Sequence, residues 1–290
     1  MIAALVGWCI GAVGVAVAWR STRSIFESYV FQRQNYRDHR LPTAAGLLCV
    51  LVLCAVVAVV EVLSGWSTLF AGSLGWVSLR VFGPSLAAIV LGFGFIGLID
   101  DLGGTGQSGG FVGHLRALGH GQVTTGAVKA LGGPMIALSV LPHSMLATDT
   151  LGLLRDAAIV SLSANLVNLF DRAPGRAIKF GLFCFALEVV ALRSPVLGAV
   201  GVVSGGSAAL LGPDLREELM LGDTGANVVG AALGFALVIV ASSTVNWVVL
   251  AVLVAFNLAS EFVSFSKVIG ASRALRWLDE LGAVHRQHRP

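Results

Sequence analysis

Two adjacent carboxylates, Asp100 and Asp101, end a long apolar run that begins at Ala87. In a bilayer, such a run predicts a spanning helix whose end meets water at the acid pair. The two anions repel each other, and the C-terminal end of a helix macrodipole disfavours negative charge further. A divalent cation is a simple compensating group for such a pair. The alternative is an acidic helix end that is only solvated.

Two further stretches place polar side chains beside apolar runs. In residues 165–171, Asn165 and Asn168 are three positions apart and share a helix face, which Asp171 continues at or just past the helix end. Hydrogen bonding between helices is the alternative role for the asparagines. In residues 219–230, Asp223 and Asn227 stand among glycines, which allow a backbone to approach a ligand closely. N-capping of the following helix is the alternative role for Asp223.

The composition places these residues in an integral membrane protein. The chain of 290 residues is 56% hydrophobic and 12% charged, with a mean hydropathy of +0.85, whereas a soluble domain has about 25% charged residues. Glycine is abundant, which suits close packing of helices in lipid. The lipid bilayer is therefore an expected partner, and nucleic acid is not expected among the partners.

The apolar runs predict an all-α fold, a polytopic transmembrane helical bundle of about nine spans. The predicted spans cover residues 1–19, 44–63, 79–99, 126–141, 151–170, 180–192, 195–211, 228–241 and 247–258. Most Lys and Arg residues fall in alternate connections, so the positive-inside rule places the N-terminus outside and the C-terminus inside. Residues 1–262 form the bundle with its cytoplasmic loops. Residues 263–290 form a cytoplasmic amphipathic tail at the membrane surface.

This topology brings polar residues from several spans to one membrane face. They are Asp100, Asp101, Asn165, Asn168, Asp171, Asp223 and Asn227. Polar groups at membrane depth are costly and tend to line functional cavities. Mg²⁺ takes one or two carboxylates and completes its shell with phosphate oxygens and water, and basic side chains hold the remaining phosphate charge. The pattern therefore favours a site for a metal-bound polyphosphate.

These stretches resemble motifs of the polyprenyl-phosphate N-acetylhexosamine-1-phosphate transferase superfamily, which includes glycosyltransferase family 4 and the phospho-MurNAc-pentapeptide transferases. The similarity lies in Gly97-Leu98-Ile99-Asp100-Asp101, Asn165-Leu166-Val167-Asn168-Leu169-Phe170-Asp171 and Gly222-Asp223-Thr224-Gly225-Ala226-Asn227. Residues 35–43 are similar to the first cytoplasmic loop of that family. The matching stretches occur in the family's order, and the resemblance extends along most of the chain.

The resemblance implies a multi-pass enzyme of the bacterial plasma membrane, acting in cell wall biogenesis. Such enzymes transfer a sugar-1-phosphate from a UDP-sugar to a polyprenyl phosphate and release UMP, with Mg²⁺ as the cofactor and Mn²⁺ as its alternative. The resemblance assigns catalysis to Asp100, Asp101 and Asp223, and metal ligation to Asp223 and Asp101. It assigns substrate binding to Lys129, Asn165, Asn168, Asp171 and Asn227. A snorkelling lysine at a helix end is the alternative for Lys129, and a homodimer is left open.

Some positions depart from the family pattern and point to a divergent member. The acid pair is followed by Leu102 and Gly103 where many members have a lysine, and Asp171 is followed by Arg172 and Ala173 where many have Gly and Asp. The late His-rich loop is missing. Two other classes of function therefore stay open: a non-catalytic membrane protein that binds a polyprenyl or nucleotide ligand on the same scaffold, and a transporter.

Overall fold

A computed structural model describes residues 1–35, 37–66, 74–103, 124–141 and 149–283. The described residues form eleven α-helices and one short hairpin. The helices are α1 (Ile2–Phe26), α2 (Leu47–Trp66), α3 (Leu74–Gly103), α4 (Thr125–Val140), α5 (Thr150–Phe170), α6 (Arg176–Leu192), α7 (Leu197–Leu215), α8 (Gly222–Val240), α9 (Ser243–Phe262), α10 (Phe265–Ala271) and α11 (Arg273–Glu280). The predicted all-α fold class is therefore confirmed.

Each of the nine predicted spans coincides with one of the helices α1 to α9. Six of these helices are long and apolar enough to cross a membrane: α1, α2, α3, α5, α8 and α9. These six indicate a membrane-embedded protein. The helices α4, α6 and α7 are shorter or less apolar. By length and composition, the described residues therefore contain six candidate crossings. Most of the loop predicted over residues 102–125 lies outside the described residues.

Several helices extend beyond the predicted bounds, in most cases into polar sequence. Helix α1 continues past Trp19 to Phe26, and α7 continues past Leu211 to Leu215 with Pro213 inside it. Helix α8 begins at Gly222, six positions before the predicted start at Val228. The prediction that Asp223 precedes this helix is therefore wrong, and so is its alternative role as the N-cap, since Leu221 holds that position.

Close backbone packing joins α1 to α7, the pair of helices with the most extensive contact in the described chain. A Cβ atom at Gly201 would lie 2.6 Å from the carbonyl oxygen of Ala4, and one at Gly205 would overlap the carbonyl of Trp8. Gly7 and Gly11 on α1 are equally close to the backbone of α7. Small residues at four-residue spacing let two apolar helices approach without a hydrophobic driving force, as is common in membranes.

Helix α8 lies at the centre of the bundle and α9 lies at its edge. Almost every residue of α8 is buried, and it contacts α2, α3, α5, α6 and α7. In contrast, α9 buries only Asn246 and Leu253 and leaves large apolar side chains such as Val248 and Phe256 exposed. An apolar surface of this extent fits contact with lipid acyl chains. The N-terminal end of α8, where Asp223 lies, is thereby held by the surrounding helices.

A two-stranded antiparallel hairpin lies between α1 and α2. Its strands are β1 (Gln32–Gln34) and β2 (Arg40–Pro42), with Arg33 opposite Leu41. The hairpin is joined to the connection between α7 and α8, because the Met220 amide donates to the carbonyl of Pro42 at 2.7 Å. The Gly46 amide likewise donates to the carbonyl of Leu221 at 3.1 Å. The hairpin thus lies at the same end of the bundle as the start of α8.

We expect the substitution Gly201→Ala to destabilise the protein by about 1–3 kcal/mol, because the added methyl group clashes with the α1 backbone. The matched control is Gly270→Ala in α10, where a Cβ atom meets nothing within 4 Å. Thermal unfolding of the purified variants in detergent, followed by circular dichroism, measures the difference. Equal midpoints for the two variants would contradict the close α1–α7 packing.

Candidate functional site

The carboxylate of Asp101, at the end of α3, caps the N-terminus of α8. Its Oδ1 accepts hydrogen bonds from the Asp223 amide at 3.0 Å and the Thr43 hydroxyl at 3.0 Å. Its Oδ2 accepts from the amide and the hydroxyl of Thr224 at 2.8 and 2.6 Å. The first-turn amides of a helix have no partner within the helix, and the positive end of the helix dipole favours an anion there. Asp101 therefore fixes the start of α8 against α3.

Glycines make this junction tight enough for the carboxylate to reach the helix. Gly222 has a φ of +76°, and a Cβ atom there would lie 2.7 Å from Oδ2 of Asp101 and 2.8 Å from the Thr43 hydroxyl. A side chain at Gly222 would therefore be both strained and in collision with the cap. A Cβ atom at Gly97 would lie 2.6 Å from the carbonyl oxygen of Asp223. The helices α3 and α8 thus meet backbone to backbone next to the two acids.

The neighbouring acid, Asp100, faces a different partner. The ammonium group of Lys129 in α4 lies 2.5 Å from Oδ2 of Asp100 and also contacts Oδ2 of Asp223. One cation therefore bridges the end of α3 and the start of α8. The side chain of Lys129 is only 18% exposed, which argues against the alternative of a lysine that snorkels into water.

Asn168 and Asp171 complete this cluster from the end of α5. With its amide oriented to satisfy both neighbours, Asn168 donates to Oδ1 of Asp223 at 2.9 Å and accepts from Lys129 at 3.3 Å. Asp171 is the C-cap of α5 and directly follows its last residue, Phe170. Withdrawal of its carboxyl from water, together with the negative charges of Asp214 and Asp223, raises the pKa of Asp171 well above the usual value. Asp171 therefore keeps its proton to a higher pH than an exposed aspartic acid does.

The remaining predicted residues lie at different distances from this cluster. Asn227 is buried in α8 one turn after Asp223, on the same side of the helix. Asn165 instead donates to the side-chain oxygen of Asn257 in α9 at 2.7 Å. For Asn165 the structure thus shows the alternative role, a hydrogen bond between helices. Although Asn165 and Asn168 share one face of α5, Asn165 contacts α9 and Asn168 contacts Asp223 of α8.

Two acidic residues that the motifs do not single out also shape the site. Asp214, buried in α7, accepts from the Gly175 amide at 2.7 Å and so holds the connection that follows Asp171. Glu217, also buried, lies 3.2 Å from Arg37 of the hairpin. The sequence shows only that both are acidic residues in the polar segment 212–227. Their partners, Gly175 and Arg37, are far away in sequence and become evident only in the fold.

Arg33 of the hairpin donates to the carbonyl of Leu102, next to the acid pair. A cation at this point offsets the unfavourable end of the α3 dipole. The compensation expected for Asp100 and Asp101 is therefore supplied in part by the protein, through Arg33 and Lys129. Lys129 thereby contacts both Asp100 and Asp223, whereas Asp101 is bound by backbone and hydroxyl donors.

The donor set fits a magnesium ion that shares its ligands with a phosphate. Within the described ranges, no three Asp, Glu, His or Cys side chains converge closely enough to hold a metal by themselves. Asp100 and Asp223 do converge on one cation, Lys129, and Mg²⁺ needs only one or two carboxylates when phosphate oxygens supply other ligands. Asp101, in contrast, already accepts four hydrogen bonds. These contacts favour a positioning role for Asp101 over metal ligation.

No protein-family model matches the chain, and a comparison with curated proteins gave no match.

We expect Asp101→Asn to destabilise the protein by about 1–3 kcal/mol, because an amide nitrogen would replace one acceptor among buried donors. The neighbouring variant Asp100→Asn is the control. It weakens the partly exposed ion pair with Lys129 but leaves no buried donor without an acceptor, so its loss of stability should be smaller. Thermal unfolding in detergent measures both variants. A larger loss for Asp100→Asn than for Asp101→Asn would contradict the capping role.

Proposed function

We propose that this protein is a divergent polyprenyl-phosphate N-acetylhexosamine-1-phosphate transferase. In the proposed reaction, a phosphate oxygen of the polyprenyl phosphate bonds to the β-phosphorus of a UDP-sugar. The bond from that phosphorus to the bridging oxygen breaks, and UMP leaves with the bridging oxygen. The observation that carries the proposal is the meeting of Asp100, Lys129, Asn168 and Asp223, which come from four different helices at one end of the bundle.

The charges of the cluster suit two phosphorylated substrates. Lys129 provides an ammonium group for the acceptor phosphate, and the amide of Asn168 provides a donor next to it. The acceptor needs little help to lose a proton, because the second pKa of a phosphate monoester is about 6. Catalysis of phosphoryl transfer then depends mainly on positioning and electrostatics. The rigid contact of α3 with α8 supplies the positioning, since Asp101 and Gly97 fix both backbones.

The carboxylates that would hold Mg²⁺ are Asp223 and Asp100, with Asp171 nearby. When bound, the ion supplies neutralisation of the pyrophosphate charge and stabilises the leaving UMP. In this assignment Asp101 orients Asp223 through the Asp223 amide and does not ligate the metal. Asn227 stays as a proposed contact of the substrate, whereas the side chain of Asn165 is bound to Asn257 and is not included.

We further propose that α1 to α9 all cross the cytoplasmic membrane of a bacterium, with the N-terminus outside and the site on the cytoplasmic face. The position of Lys and Arg residues supports this orientation. The described charged cluster lies at one end of the bundle, and this location favours an enzyme or a binding protein over a transporter, whose polar groups would line a path across the membrane.

We expect purified protein to release UMP from a UDP-N-acetylhexosamine in the presence of undecaprenyl phosphate and Mg²⁺. A panel of UDP-sugars, with UMP quantified by chromatography, identifies the donor. Asp223→Asn should lower the rate about 100-fold or more, because a charge that acts in the transition state is lost. Chelation with EDTA should stop turnover, and Mg²⁺ or Mn²⁺ should restore it.

The matched control for this assay is Glu27→Gln, which changes an exposed carboxylate paired with Arg23 at the end of α1. It should retain the full rate. A protein that binds UDP-sugar or polyprenyl phosphate without UMP release would support the non-catalytic alternative. Turnover that survives Asp223→Asn unchanged would exclude the proposed site.

We expect opposite labelling of the two ends of the bundle in intact cells. In a variant with the native cysteines replaced, Thr244→Cys at the start of α9 should react with a membrane-impermeant maleimide. Ser28→Cys, beside the hairpin at the other end, should react only after the cells are opened. Both positions are exposed in the structure. Labelling of Ser28→Cys in intact cells would reverse the proposed orientation.

A further inference from the structure

The tail helices α10 and α11 begin where a candidate span ends. Helix α9 ends at Phe262 and α10 begins at Phe265, so only two residues separate them. The ring of Phe265 lies 5.3 Å from that of Phe170, the last residue of α5, and Phe170 stacks on Phe180 at 4.1 Å. Because a residue spans at most about 3.6 Å, α10 must start close to the level at which α5 and α9 leave the hydrocarbon.

One side of α11 is attached to the bundle by charged groups. Arg176 at the start of α6 donates through Nε and Nη2 to the two carboxylate oxygens of Asp279, both at 2.7 Å. Its Nη1 donates to the Ser266 hydroxyl at 2.8 Å. Lys179 donates to the carbonyls of Leu278 and Asp279 at 3.2 and 2.7 Å. A bidentate pair of this kind fixes both distance and orientation.

Apolar side chains of α11 that do not face Arg176 are exposed. Trp277, Leu278 and Leu281 are 62%, 51% and 53% exposed. At 100° per residue, Trp277 lies about 160° and Leu278 about 100° around the helix axis from Asp279, and Leu281 directly follows the helix. Lys267, Arg273 and Arg276 are exposed basic residues in the described part of the tail. An apolar face combined with basic residues is typical of helices that lie in the interface of an anionic membrane.

We propose that α10 and α11 form a strap on the surface of a leaflet rich in anionic phospholipid. Trp277, Leu278 and Leu281 enter the boundary between headgroups and acyl chains, and the basic residues contact the phosphates. The strap also holds the segment between α5 and α6, because Arg176 follows Asp171 by only five positions and contacts Asp279. The lipid contact is independent of the proposed function. An effect of the strap on a substrate site rests on the proposed function.

Fluorescence quenching by brominated lipid tests the lipid contact in the full-length protein. The protein is reconstituted in nanodiscs of phosphatidylglycerol or of phosphatidylcholine, with bromine at the 6,7 positions of the acyl chains. The difference between the wild type and Trp277→Phe isolates the Trp277 emission from that of the other tryptophans. This difference signal should lose about half of its intensity or more in phosphatidylglycerol and less in phosphatidylcholine. Trp277 emission that is insensitive to bromine but quenched by aqueous acrylamide would overturn the proposal, and equal quenching in the two lipids would overturn its anionic preference.

Hydrogen exchange of the segment 171–180 tests the link from the strap to the site without any substrate. In Asp279→Asn, exchange of these amides should be faster on the order of tenfold, because a charge-assisted pair is lost. The control Glu280→Gln changes the adjacent exposed carboxylate and should leave exchange unchanged. Unchanged exchange in Asp279→Asn would overturn the coupling. Neither measurement uses a UDP-sugar, so its failure is distinct from the failure of the transferase proposal.

Discussion

The capping of α8 by Asp101 is the interaction on which the rest of the described site depends. A carboxylate at the unfavourable end of one helix is stabilised by the free amides and the positive dipole end of another. The same carboxylate binds Thr43, which follows the hairpin. Three segments far apart in sequence thus share one anion, and their mutual position cannot change without exposing buried donors.

The cap also divides two adjacent acids into different roles. Both carboxylate oxygens of Asp101 accept hydrogen bonds from the protein. The carboxylates of Asp100 and Asp223 instead contact Lys129 and are partly exposed. Asp171 and Asp214 are two further carboxyl groups near the same point. Anions gathered at the end of apolar helices repel each other, and water screens them poorly there. Lys129 supplies the cation that Asp100 and Asp223 share in the described part of the chain.

Apolar run length and charge asymmetry predicted most helices and the common location of Asp100, Asn168 and Asp223. Lys129 was predicted only through the family resemblance. The start of α8 at Gly222 could not be predicted, because a segment with several glycines and an acid is typical of a loop. The helix can begin there because Asp101 accepts hydrogen bonds from the amides of Asp223 and Thr224. The separate partner of Asn165, Asn257, depends on how α9 packs on α5. The hairpin has only three residues per strand, too few for a periodic pattern.

The position of the site at the ends of helices explains why backbone contacts dominate its construction. Side chains at helix ends border water and headgroups, where a salt bridge alone contributes little. The hairpin, the α7–α8 connection and the acid pair are instead joined by buried amide donors, from Met220 to Pro42 and from Gly46 to Leu221 as well as to Asp101. Unmet amides would cost more than the bonds themselves contribute. The polar end of the bundle is therefore held in one arrangement, which a site that acts by positioning charge requires.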